Sequence, residues 1–140
     1  MADTYSKASI STELAHRVIA GAEAKADELG IPFVIAIVDE SGVLKAFSRM
    51  DGAALLSVQV AQDKAYTAVG FGMATHAWHD FIKDDAPLSA GATDGIDRLV
   101  VFGGGYPIEV DGTQVGAIGV SGAHWGQDME VAQAGLAVLG

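Results

Sequence analysis

Phe33-Val34-Ile35-Ala36-Ile37-Val38-Asp39-Glu40-Ser41-Gly42-Val43-Leu44-Lys45-Ala46-Phe47-Ser48-Arg49-Met50 decides the architecture of this chain. Phe33 to Asp39 is a short apolar, β-branched run that fits a buried strand, Glu40-Ser41-Gly42 supplies turn residues, and Val43 to Met50 returns as a second strand. Strands joined so tightly pair antiparallel, because a parallel pair needs a crossover of about a dozen residues or more. The second half repeats this logic. Leu99 to Phe102 reads as a strand, Gly103-Gly104-Gly105 as a break and Pro107 to Val110 as a strand; Asp111-Gly112 is a two-residue hairpin turn leading to a strand over Gln114 to Val120.

Helices surround these hairpins. Leu14, Ala15, Val18, Ile19, Ala22, Ala26 and Leu29 recur at spacings of three and four, which predicts a helix over 12–29 with Ser11 or Thr12 as its cap and Gly30 as its stop. Residues 57–74 place Val58, Ala61, Ala65, Ala68, Val69 and Gly72 on one side, small enough for close packing on a sheet, and weak helical character continues from Thr75 to Lys83. Pro87 to Gly95 reads as a loop by composition. A last helix is expected over 126–139, with Met129, Ala132, Leu136 and Leu139 inward. The order predicts a five-stranded antiparallel sheet covered by helices, an α/β fold of the α+β kind, in one domain spanning 1–140.

Composition limits the chemistry. Half of the 140 residues are hydrophobic and 19% are charged, which excludes a disordered chain. Eight basic against eighteen acidic residues give a net charge of −10, which repels phosphate backbones, so nucleic acid is not an expected partner. There is no Cys, hence no disulfide, thiolate metal site or cysteine nucleophile. Neither a secretory signal nor a membrane-length apolar run is evident, and a cytoplasmic, soluble protein is expected.

Three segments mix glycine with isolated polar residues. In Arg49-Met50-Asp51-Gly52-Ala53, Arg49 could pair a ligand carboxylate, or it could simply pair with a neighbouring acid while Asp51 caps the next helix. Lys64 lies on the same helix margin as Ser57, where an ammonium could enter a pocket or lay its stem on apolar surface with its charge in water. Gly119-Val120-Ser121-Gly122 leads into the last helix, where free N–H groups suit a carboxylate, phosphate or oxyanion. Asp128 follows in the first helical turn, which the helix dipole alone would explain. His124, between glycine turns and beside Trp125, could act as an acid/base or be an ordinary loop histidine. His76 and His79 share a helix face but lack a third ligand, so no metal site is expected.

Taken in order, Ile37-Val38-Asp39, Gly42, Leu44, Arg49 to Ala53, Ser57, Lys64 to Ala68, Gly103-Gly104, Pro107-Ile108, Gly116 to Gly122 and Gln127-Asp128 resemble the GlcG/HbpS family, the haem-degrading domain also seen at the C-terminus of PduO proteins. The resemblance runs over about residues 8–140. It implies a profilin-like α-β-α domain, assembly into dimers or octamers, binding of haem or a corrinoid, and a place in small-molecule catabolism. Ala123-His124-Trp125-Gly126 departs from the family pattern after Gly122.

Two functions follow as expectations. The first is a small-ligand-binding protein that takes haem or another tetrapyrrole, with His76, His79 or His124 on the iron and Arg49 or Lys64 on a propionate. The alternative is a cofactor-independent lyase, hydratase or isomerase on a small hydroxy or carbonyl acid, in which His124, Lys64 and Asp128 are catalytic. In either case Asp39, Arg49, Ser57, Gly119, Ser121 and Gly122 are expected to bind the ligand. Asp39, Arg49, Lys64 and Gly119–Gly122 are expected to converge on one pocket beside the last strand-to-helix turn, in a homo-oligomer.

Overall fold

The computed structural model describes residues 1–140. Helix α1, Thr12–Leu29, starts where the Ser11 hydroxyl accepts the Leu14 N–H and stops at Gly30, whose φ of 69° is the left-handed conformation that ends helices. Strands β1 (Val34–Asp39) and β2 (Leu44–Arg49) form the first hairpin. Helix α2 (Leu55–Phe71) and two shorter helices, α3 (Ala77–Ile82) and α4 (Ala86–Gly95), follow. Strands β3 (Gly105–Val110) and β4 (Thr113–Ser121) make the second hairpin, turning at Asp111 and Gly112, both at positive φ as a tight hairpin turn requires. Helix α5 (Trp125–Leu136) and a single 3₁₀ turn end the chain.

The sheet order is β2-β1-β4-β3, antiparallel throughout. Central β1 is buried on both faces, which is why its sequence is apolar without alternation. Phe33, just before it, and Ile35 and Ile37 pack with Val18, Ala22, Val131 and Ala132 of α1 and α5; Val34, Ala36 and Val38 face Ala61, Ala65 and Ala68 of α2. Helices therefore cover both sides of the sheet. The α2 layer sits unusually close, because a Cβ on Gly119 would run into the backbone of Ala61 and Ala65.

The expected fifth strand is absent, so the sheet has four strands. Residues 99–102 do not pair with another strand, because one side chain of α2, Thr67, takes backbone groups of Arg98 and Val100. Thr67 Oγ1 donates to the Arg98 carbonyl at 3.0 Å and accepts the Val100 N–H at 3.0 Å. The expected loop at 87–95 is instead most of α4. Asp85 caps it by accepting the Leu88 N–H, and Pro87 lies in the first turn, where its missing N–H is no loss. Ala92 anchors this helix against Trp78 and Ile82. No helix is long and apolar enough to cross a membrane.

Candidate functional site

Position 64 falls on the face of α2 that packs against the sheet, and Lys64 is fully buried. A buried ammonium needs acceptors and a counter-charge. The Lys64 Nζ donates to the Val120 carbonyl at 2.9 Å and to Asp128 Oδ2 at 2.8 Å, and it lies 5.2 Å from the centre of the Phe102 ring. Asp128, in the first turn of α5 and 2% exposed, accepts the Ala123 N–H on its other oxygen at 3.1 Å. One ion pair thus ties together α2, the end of β4, the turn after it and α5. Burial pushes the lysine below its ordinary value and the carboxyl above its own, and in each case the partner's charge and hydrogen bond oppose that shift.

Glycine makes room for this pair. A Cβ on Gly104, whose φ is 126°, would stand 2.7 Å from the Lys64 Nζ. On the far side the Ser121 and Ser57 hydroxyls meet at 3.1 Å, both buried. Above the pair lies an open cleft of about 560 Å³, bounded by Ser121, His124, Trp125 and Phe102, with Lys64 and Asp128 in its floor. His124 is the N-cap of α5, where its Nδ1 accepts the Gly126 N–H at 3.1 Å, which leaves the ring proton on Nε2. Its ring lies against that of Trp125, with centres 4.9 Å apart. A second cleft of about 510 Å³ shares Phe102 and Trp125 with the first and is edged by His76, His79 and Asp80.

Lys64, Ser57, Ser121, His124 and Asp128 therefore come together, while the other expected residues do not. Asp39 sits at the opposite end of β1, across from Gly116, and its Oδ1 accepts the N–H groups of Ser41 (2.9 Å) and Val43 (3.1 Å). Arg49 is exposed on edge strand β2 and borders neither cleft. Gly119 faces the α2 backbone, and Gly122 abuts Pro32 and Phe33. The turn expected to hold an anion already has one beside it, since Asp128 Oδ1 accepts the Ala123 N–H at 3.1 Å. No three His, Asp or Glu side chains gather to hold a metal ion.

The sequence reading did not place Phe102 or Trp125 in the site, although they form the wall between the clefts. The available signal was Phe102 directly before three glycines, because Gly103 leaves room for Met129 and Trp125.

Residues 10–137 match the family described as haem degrading protein HbpS-like. The chain is 36% identical over 124 residues to corrinoid adenosyltransferase PduO of Salmonella typhimurium, an alignment that spans 89% of this chain but 37% of that protein. An uncharacterized 15.0 kDa protein from the dhaT-dhaS intergenic region of Citrobacter freundii is 36% identical over 129 residues, covering 92% of this chain and 91% of that one. Among solved structures, a PduOC:heme complex superposes with a TM-score of 0.85 at 36% identity, over 92% of this chain and 94% of the other.

Proposed function

We propose that this chain, which belongs to the HbpS-like family, binds haem or a related tetrapyrrole in the paired clefts around Phe102 and Trp125. The observation that carries this reading is the shared aromatic wall with imidazoles on both sides, His76 and His79 on one and His124 on the other. A flat amphipathic macrocycle needs broad apolar contact, a neutral imidazole for the iron and an outlet for its propionates. Val101, Phe102 and Trp125 supply the contact, His76 and His79 are exposed donors, and the open cleft leaves the propionates in water. Bound haem supplies an iron centre for ligation or redox chemistry. Lys64 does not fit the expected role of propionate partner, because its ammonium is buried and already bonded to Asp128. It holds the floor and the β4–α5 turn in place.

Hemin titration followed by the Soret band tests this reading across four variants: His16→Ala, His76→Ala, His79→Ala and His124→Ala. Wild type is expected to show a saturable Soret shift that is lost or weakened in His76→Ala or His79→Ala. Loss confined to His16→Ala would move the site to the exposed side of α1, and no band in wild type would overturn haem binding altogether.

The proton-transfer alternative keeps one supporting observation, the Ser121 hydroxyl and the His124 Nε2 beside a buried ion pair. A homo-oligomer is also part of this proposal. Leu55 (83%) and Leu56 (82%) are almost fully exposed, beyond what water-facing leucines need. Light scattering is expected to report a dimer or larger, and a monomer would contradict it.

A further inference from the structure

We propose that a third cavity, separate from the paired clefts, is a binding site for a small methylated ammonium ion. It measures about 280 Å³ and lies between the C-terminal half of α2, α3 and residues 96–99, lined by Tyr66, Phe71, Trp78, Ile96, Asp97 and Leu99. Three aromatic rings and one carboxylate are the parts with which proteins hold quaternary ammonium groups, since ring faces attract a cation; here they line a cleft open to water, with Phe71 60% and Tyr66 39% exposed. The volume suits a ligand smaller than the drug-sized molecules that fill pockets of about 300–1,000 Å³. Asp97 makes no ion pair or side-chain hydrogen bond, so its charge is uncommitted. The net charge of −10 also draws cations towards the molecule.

Three further features point to a built cavity. Gly70 lines it at negative φ inside α2, and a Cβ there would meet nothing within 4 Å. Neither backbone conformation nor packing demands glycine at this position, yet glycine is a poor helix former, and its effect here is to keep the cavity open. Trp78 is 5% exposed, which fixes its ring in the wall. The 96–99 segment is tied to α2 through Arg98, which adopts a φ of 65°, strained for a non-glycine residue. Thr67 bonds its carbonyl, Asp63 accepts from its Nε at 2.8 Å, and its guanidinium stacks 4.0 Å above the Tyr66 ring. Tyr66 already engages a cation on one face, and Asp63 offsets the charge of that arginine.

Choline chloride is the probe, with 3,3-dimethylbutan-1-ol as its uncharged isostere. In a Trp125→Phe protein the remaining tryptophan emission comes from Trp78, since the chain has two tryptophans. Choline is expected to change that emission saturably, and calorimetry on wild type should give the same affinity. The isostere should bind roughly tenfold more weakly, and Asp97→Asn should weaken choline severalfold. Gly70→Leu should block binding while leaving the melting temperature near wild type. Equal affinity for the isostere would overturn the proposal, as would no response to millimolar choline. So would Trp78 emission that follows protein concentration and ignores choline, because a second copy of the chain would then cover the rings.

Discussion

Asp39 accepts the N–H groups of Ser41 and Val43 across the β1–β2 turn, and Asp128 accepts that of Ala123 across the β4–α5 turn. The local geometry is alike and the surroundings are opposite. Asp39 is half-exposed, in contact with water and without a counter-ion. Asp128 is buried and keeps its charge only beside an equally buried lysine from a helix 64 residues away. The difference teaches that a carboxylate on turn N–H groups is ordinary folding chemistry. What marks the second turn is a buried charge pair in the floor of a cleft with aromatic walls.

Breaking the buried pair on one side should have the largest effect. Lys64→Ala leaves a buried, uncompensated carboxylate and is expected to lower stability by about 3–5 kcal/mol in urea denaturation. Replacing both partners sharpens the point: Lys64→Met with Asp128→Leu should return to within about 1 kcal/mol of wild type, because the desolvation of both charges disappears with them. The exposed turn should respond far less, with Asp39→Ala losing about 1 kcal/mol for its two exposed turn hydrogen bonds.

The smallest predicted effect is a pH dependence, read as the stability of wild type minus that of the double variant. Because burial raises the Asp128 carboxyl, the folded state holds its proton more tightly than the unfolded chain does. That favourable contribution is present below the ordinary carboxylate value and is lost as pH rises through the folded value. Burial lowers the Lys64 amine, so its contribution is present above the ordinary lysine value and is lost as pH falls through the folded one. The difference curve should therefore be lowest at intermediate pH and rise on both sides. A curve that peaks near neutrality would mean that mutual attraction outweighs burial.

Local chemistry made much of the fold legible. Ser11 and Gly30 bound α1 as their capping preferences require, and Asp111-Gly112 turns the second hairpin. Residues 99–102 misled because an apolar run looks like a strand until the Thr67 hydroxyl, distant in sequence, occupies its neighbouring backbone. Helix α4 was hidden by its Ser, Gly and Thr content, although Asp85 and Pro87 were start signals. The site was half legible. Lys64 and Asp128 each stood out, but nothing in their spacing shows that they bond to each other. The Gly119–Gly122 turn was read as a place for an anion, whereas the Asp128 carboxylate on the adjoining Ala123 N–H follows only from the folded chain. Arg49 drew notice as a cation beside a glycine turn, and its place on an edge strand removes it from the clefts.

The central claim is that the Phe102–Trp125 clefts, one of them floored by the Lys64–Asp128 pair, are where this chain takes its ligand. A crystal structure of the protein grown with hemin tests it most directly. The account predicts the porphyrin against Phe102 and Trp125, with His76 or His79 on the iron and the Lys64–Asp128 bond intact. A porphyrin bound elsewhere, such as beside His16 on α1, with both clefts empty, would contradict it.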